Sequence, residues 1–569
     1  MKHLLRRAAA FCLALTMLAA PAFAAEPDTA QNRQEDLDAL YNGLKDTHPN
    51  LFANTPEAVF LDYKAEIEAR LATESDVEFV LDLQSLAALA GDSHTNVSIG
   101  SIGQSVHYYL FNMDKLDGKW VLSSAEKSAE KLLGSQITAI NGFSMDEVLE
   151  HFRPLFSADN DVKLERQYRQ TCHVADLYEY VGIAEHGEPL TLSLKTPEGS
   201  TWSLELEPIA ANAMKTAEGV QLSALRTGSP ATARQDVNYM SMPLDRDTYY
   251  IQYNSCFEDP DLPMKTFAEQ VNAELEAGNY ERIVLDLRNN GGGSDGVLYP
   301  ILLLLRSQMD AGVEGVALIG ESTFSSALIN AVELQDMGVV LVGEPTSGSV
   351  DHFGAVRQFT LPNSQISVGV SSKFIDTETL FDSAAGRGIE TLPPDVLVHQ
   401  TLSDYLAGKD SCIEYLLAHK APLEQRARPD APMTRGRFVG TLYAAAGSPK
   451  VNADGPSFED VFGIEWHLTA LDWASETGIA KGTAADAFSA PRSLTWQEAA
   501  VFLVRAAETL GLNPETARTE PVPAALADGA WDLRSIETAW AWGLIPADAD
   551  FTAIPTRGQG EAMVNALFG

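Results

Sequence analysis

Apolar residues in the segment 76–90 (DVEFVLDLQSLAALA) recur at Val77, Val80, Leu83, Leu86 and Leu89, a spacing that lines one face of a helix. The pattern predicts helices over 32–90, with that stripe turned toward a core. From about 105 to 208 the period shortens to that of strands, as in HYYLFNM, KWVLSS and PLTLSLKT, broken by DG, NG and PEG turns. From 247 short apolar runs alternate with longer ones. TYYIQYN precedes a helix over 262–277 and the strand RIVLDL at 282–287. A glycine loop, a helix near 297–308, the strand VEGVALIG (313–320), a helix over about 325–336 and the strand VVLVG (339–343) follow. Such alternation predicts βαβ crossovers and a largely parallel, buried sheet.

Residues 421–433 are rich in proline and charge and lack an apolar period, which predicts a linker. Beyond it the chain repeats itself. TRGRFVGTLYAAAG starts at Thr434, TWQEAAVFLVRAAE at Thr495 and TRGQGEAMVNALFG at Thr556, so each step is 61 residues and each copy opens on a helix-capping threonine. Six of the eight tryptophans also lie there, at 466, 473, 496, 531, 540 and 542. A period of this kind predicts units that bury their apolar faces on one another, a structural or adhesive module rather than a catalytic one.

Composition narrows the function classes. The 569 residues carry 79 acidic against 40 basic side chains, a formal net charge of -39, which disfavours nucleic acid and anionic membrane surfaces as partners. Hydrophobic residues at 45% and charged residues at 21% describe a folded chain rather than a disordered one. Residues 1–24 read as a secretory signal: Lys2, Arg6 and Arg7, a short apolar run over 8–20, then Ala22-Phe23-Ala24. The expectation is an exported protein with no membrane span once that segment is removed. Three cysteines remain, Cys172, Cys256 and Cys412, far apart and without metal-ligand spacing, so buried apolar roles are expected.

Three segments could carry chemistry. In VLDLRNNGGGSDG (284–296) a buried strand ends in three glycines, which allows a sharp turn with exposed N–H groups, usable as an anion nest or oxyanion hole. It matches neither a P-loop nor a dinucleotide fingerprint. In IGESTFSSALINAVELQD (319–336) Ser325 and Ser326 fall where a strand gives way to a helix. There a hydroxyl either caps the helix or acts as a nucleophile near free N–H groups. In GDSHTNV (91–97) His94 is flanked by Asp92, Ser93 and Thr95, side chains able to fix its tautomer. Spacing alone does not bring His94 to Ser325.

Taken in order, GDSHT, DLRNNGGG, TFSSA and LVGEPTSG resemble the serine peptidases of the tricorn-core and C-terminal-processing family, joined by HPNLF (48–52) and GIETLPPDVLVHQTLSDYLAGKD (388–410). The likeness spans roughly residues 30–420. It implies a multi-domain α/β chain with a crotonase-like αββ peptidase core. The helical N-terminal part would run over 25–103, a PDZ-like β module over 104–210, carried by LLGSQITAINGFSMDEVL (132–149), and the catalytic core over 211–420. It also implies Ser325 as nucleophile, with Gly292 and the Ser326 N–H as oxyanion donors and Ser93-His94 as the base pair. The family's orienting acid falls on Glu390, Asp382 or Glu378. The branch with a Ser/Lys dyad has lysine just after a GEPTFG-like run, where this chain has Ser349; Lys373 is a minor candidate base. No metal or cofactor is implied, and the substrate would be a peptide or protein.

The repeats over 434–569 resemble all-α S-layer homology modules, through FEDV (458–461), WASETGIAKG (473–482) and the helix-start Arg435 and Arg557; the middle copy has Trp496 there. That likeness implies a cell-wall polysaccharide partner and a secreted, wall-associated enzyme. The alternatives are a catalytically inactive peptide-binding scaffold on the same fold and a wall-associated adhesion protein.

Overall fold

The computed structural model describes residues 30–569 other than 231–233, 385–387, 389, 452–457, 459 and 461–467, and the side chain of Glu378. The secretory segment expected at 1–24 lies outside the described residues. So do Glu459 and Val461 of the FEDV motif.

The alternation from 247 produces a six-stranded sheet. Its order is Tyr239–Pro243, Thr248–Tyr253, Arg282–Asp286, Glu314–Ile319, Val340–Gly343 and Val396–Leu397, with only the first pair antiparallel. Helices Met264–Ala277, Tyr299–Asp310 and Ser326–Asp336 make the first three of the four parallel crossovers. Alternate strand residues face opposite ways. Tyr249, Ile251, Ile283, Leu285, Ala317, Ile319 and Leu341 pack with the crossover helices. Tyr250, Val284, Val316, Leu318, Val340 and Val342 pack against Cys412, Ile413 and Leu416 of helix Ser411–Ala418. Both faces are covered, which is why these strands read as continuous apolar runs.

The N-terminal part is three helices, Ala30–Thr47, Glu57–Glu68 and Asp76–Ala88. The last is buried on nearly every side from Phe79 to Ala87, more than its one predicted stripe. The chain then enters a seven-stranded antiparallel sheet containing Phe111–Leu116, Lys119–Glu126, Gln136–Ile140, Leu190–Lys195 and Thr201–Leu206, with Gly219–Gln221 on its edge, beyond residue 210. Three helices interrupt the strand-like stretch: Met145–Phe152, Asp161–Thr171 and Ala175–Tyr180. Their starts carry local signals, a Ser144/Glu147 capping box and an Asn160 cap on the Lys163 N–H.

A short ladder joins the distant ends of the core. Asn96–Val97 pairs antiparallel with Ser367–Val370, Asn96 facing Gly369 and Val97 facing Val368. The hairpin that carries this ladder is anchored from the first helix, where Asp36 accepts the Asn363 and Ser364 N–H groups at 2.8 and 2.7 Å.

The C-terminal module packs helices Arg435–Ala445, Trp496–Leu510 and Arg557–Phe568 around one core with Leu468–Glu476 and Leu533–Ala541. Thr434, Thr495 and Thr556 each cap their helix as the repeat predicts. The stretch expected as a linker is hydrogen-bonded to the region of the six-stranded sheet. Gln425 donates to the carbonyls of Gln335 and Val339, and Arg428 donates to the Ser383 carbonyl and Gln335 Oε1. Charge and proline removed the apolar period there, but side-chain hydrogen bonds supply the docking that periodicity does not record. Among the described residues no helix is long and apolar enough to cross a membrane.

Candidate active site around Ser325

Ser325 stands between the strand Glu314–Ile319 and the helix Ser326–Asp336, with φ 52° and ψ -127°. A non-glycine residue there is strained by about 1–3 kcal/mol and persists only where its surroundings enforce it. The surroundings do so. Thr323 Oγ1 accepts the Gly320 N–H and donates to the Leu287 carbonyl, and the Phe324 N–H donates to the Asn290 carbonyl. The Ser325 side chain makes no capping hydrogen bond. The strain therefore holds a half-buried hydroxyl at the mouth of a helix N-terminus instead of spending it on the cap.

The glycine loop lies directly beneath. Gly292 has φ 105°, and a Cβ placed on it would come 2.8 Å from Ser325 Cβ, 3.0 Å from the Phe324 carbonyl oxygen and 3.1 Å from the Ser326 nitrogen. Gly292 is thus required for close approach as well as for its backbone angle. Gly292→Ala is expected to displace the Ser325 hydroxyl and slow its reaction with a covalent serine probe by roughly 10²-fold, with about 1–3 kcal/mol lost in denaturant unfolding. Unchanged kinetics would show that the loop does not set the position of Ser325.

The Gly292 N–H, expected as an oxyanion donor, donates to Asn290 Oδ1 at 2.9 Å and is already engaged. Asn290, which sequence reasoning passed over, also donates to the Tyr253 carbonyl and accepts from Cys256 Sγ at 3.3 Å. The Ser326 N–H stands at the first position of its helix, while Ser326 Oγ donates to the Gly293 carbonyl at 2.9 Å. Cys256 is buried and its thiol is pushed up to about 11 by burial, in keeping with a packing role; Cys172 and Cys412 are also buried and free.

The ladder Asn96–Val97 delivers His94 to this place. Its ring stacks on Phe324, centroids 4.4 Å apart and planes 22° apart, and on its far neighbour His352 at 5.4 Å and 15°. Both ring nitrogens lack a hydrogen-bond partner, so no bond joins His94 to Ser325 in this structure. Burial first, then the nearby His352, pushes the His94 imidazole down to about 3 despite Asp92. Asp92 Oδ1 lies 3.9 Å from His94 Nδ1 and accepts the His94 N–H at 2.9 Å, while Oδ2 accepts Thr95 Oγ1 at 2.6 Å and lies 3.3 Å from His48 Nε2. Burial by itself would raise the Asp92 carboxyl, yet its contacts with His48, Ser371, Thr95 and the His94 N–H hold it below its ordinary value. Ser93 donates to Asp159, a buried carboxyl pushed up to about 6 by burial and by Asp92.

Two of the three acids expected after Ser325 have other surroundings. Glu390 is exposed, with its carbonyl accepting the Val350 N–H at 2.8 Å. Asp382 is fully buried against the C-terminal module, 2.8 Å from Arg437 Nε. The side chain of Glu378 lies outside the described residues. Asp92 is the carboxylate beside His94, and its place two residues before His94 in GDSHT was the available signal. Lys373 is exposed. Lys163 is the side chain that no motif announced: it is buried, its ammonium lies 3.8 Å from the Phe324 ring centroid, and burial pushes it down to about 8.

Arg435 and Arg557, expected to grip a wall polymer, are buried instead. Arg435 donates to Glu498 at 2.6 Å and to the carbonyls of Phe488 and Lys481, and Arg557 donates to the Asp382 carbonyl at 2.9 Å. Arg435 is closed into its own module and Arg557 is turned against the Asp382 carbonyl, so both guanidinium groups are buried. The helix-start position, read as a binding signal, is here a packing one. Among the described residues no group of three or more His, Cys, Asp or Glu side chains is arranged to hold a metal ion.

No protein-family model matches the chain, and no curated protein does. Solved structures with similar folds include mature CPAF complexed with lactacystin, at 15% identity and a TM-score of 0.45, covering 68% of this chain and 97% of that one. The photosystem II D1 C-terminal processing protease matches at 14% identity and a TM-score of 0.30, covering 67% and 98%. A putative S41 protease from Bacteroides fragilis matches at 16% and 0.25, covering 55% and 82%. At identities of 14–16% and TM-scores of 0.25–0.45 these neighbours carry no argument about the chemistry, which rests on the geometry around Ser325.

Proposed function

We propose that this chain is an exported serine endopeptidase that hydrolyses peptide bonds through an acyl-enzyme on Ser325. The observation that supports it most is the backbone of Ser325 itself: a strained serine, uncapped, at a strand-to-helix turn, with glycine packed beneath it. In the proposed cycle Asp92 accepts a hydrogen bond from the Nδ1–H of His94, fixing the tautomer whose Nε2 is free to accept the hydroxyl proton as substrate draws the rings together. Ser325 Oγ then bonds to the peptide carbonyl carbon. The resulting oxyanion is met by the Ser326 N–H and the positive end of the helix. The imidazolium returns its proton to the departing amine, and water releases the acyl group by the reverse path. Export rests on residues 1–24, and wall association rests on the repeat pattern alone.

A fluorophosphonate probe tests the proposal. It is expected to form one adduct, on Ser325, located by peptide mass analysis. The unpartnered His94 nitrogens favour a second reading, an inactive peptide-binding scaffold. Absence of a Ser325 adduct from pH 5 to 10 would establish that reading instead.

A further inference from the structure

Lys163 belongs to no motif and is not used in the cycle above, yet the fold holds it firmly at the nucleophile. Its own N–H is capped by Asn160 Oδ1 at 2.9 Å, and Asn160 Nδ2 ties the start of that helix to the Ser347 carbonyl at 3.1 Å and to Ser349 Oγ at 2.9 Å. The ammonium rests on the ring of Phe324, the residue before Ser325. His94 stacks on that same ring, and His352 stacks on His94. Three groups that become cations on protonation therefore surround one column of rings, all of them buried.

The neighbouring charges do not neutralise them all. On its own helix Lys163 faces Arg166, and further along Arg169, which is paired to Asp114 and Glu321. Asp159 precedes the helix and Asp92 lies in the His94 turn. Asp159 is engaged by Ser93, and Asp92 by His94, Thr95 and His48. The Lys163 ammonium is left on a π face rather than on a carboxylate. A second positive charge on His94, no farther away than the two ring distances combined, is opposed in a site this dry.

We propose that Lys163 is a positioning residue that gates the Ser325–His94 pair: its ammonium form keeps His94 from accepting the serine proton, and its loss of a proton releases His94 to do so. The inference rests on Ser325 and His94 being nucleophile and base. The sign follows from the charges. Below the Lys163 ionisation the cation is present and the pair is held off; above it the amine is neutral and the pair is free. Burial pushes Lys163 down to about 8, which brings the change into an accessible range. Burial and Arg166 oppose the ammonium while Asp159 and Asp92 favour it, so removing the Asp159 charge moves the change to lower pH.

The second-order rate of fluorophosphonate capture by Ser325, followed from pH 6 to 10 in the full-length protein, reads the gate without a peptide substrate. The wild type is expected to accelerate roughly tenfold between pH 7 and 9. Lys163→Met, close in size and uncharged, is expected to flatten that rise and to react at pH 7 about as fast as the wild type does at pH 9. Asp159→Asn is expected to move the rise to lower pH, and it serves equally if Lys163→Met fails to fold. A rise that persists unshifted in both variants overturns the gate. A folded Lys163→Met that reacts at no pH also overturns it, by making Lys163 the proton acceptor. No adduct at any pH in the wild type sinks the serine-peptidase reading and the gate with it, whereas an adduct without the rise sinks the gate alone.

Discussion

Ser325→Ala is expected to lower peptide hydrolysis by roughly 10⁴–10⁶-fold while leaving the fold intact. The size follows from the role: removing a nucleophile removes the acyl-enzyme itself, and only water activated by the remaining groups is left. The fold survives because the Ser325 side chain makes no capping hydrogen bond, so alanine deletes nothing that the helix uses. The strain lies in the backbone, at φ 52°, and alanine keeps it. Ser325→Gly relieves it, since glycine tolerates positive φ, and is expected to be equally inactive but more stable than Ser325→Ala by about 1 kcal/mol. Parallel hydrolysis assays and denaturant melts on the three proteins check both halves. Retained activity in either variant would remove Ser325 from the mechanism. A loss of stability on mutation to glycine would show that the turn is not strained.

Arg435→Ala is expected to cost the C-terminal module about 3–5 kcal/mol, the usual cost of breaking one partner out of a buried ion pair. The guanidinium is 2% exposed, donates to Glu498 at 2.6 Å and to two carbonyls, and lies 4.6 Å from the Phe488 ring centroid and 5.3 Å from that of Phe502. Removing it strands both carbonyls, opens a void between two phenylalanines and leaves Glu498 to Arg492. Arg435→Lys should restore little, because an ammonium does not reproduce the planar fork. Tryptophan fluorescence reports on this module selectively, since six of the eight tryptophans lie in it. Unfolding unchanged in Arg435→Ala, together with lost binding to isolated wall polymer, would restore the surface role that the repeat pattern first implied.

What was legible in the sequence follows from how local each signal is. The βαβ alternation from 247 appears as the six-stranded sheet because both faces of each strand are buried, so apolar runs mark them directly. The threonine caps at 434, 495 and 556 are contacts within a single helical turn. Ser325 and the glycine loop were visible as a strand-to-helix turn and a glycine run. The fate of their partners was not. Glu390 and Asp382 were candidates only through the family resemblance of the stretch after Ser325, and one is exposed while the other is taken by Arg437. Asp92 was legible beside His94 in GDSHT, whereas Lys163 reaches the site on a capped helix from a distant segment, and no spacing rule records such an arrival. The buried state of Arg435 depends on Glu498 and two aromatic rings in other parts of the repeat, and its own helix start says nothing of them.

The four-residue meeting of Asn96–Val97 with Ser367–Val370 has a consequence for the life of the chain before it is folded. Serine and imidazole are carried by stretches made far apart in time during synthesis, and no partial chain ending before the later strand holds them together. Closing so long a loop is slow and comes after local helices have formed. On the proposed mechanism, the site is therefore silent in the open polypeptide and forms only when these two distant stretches have met.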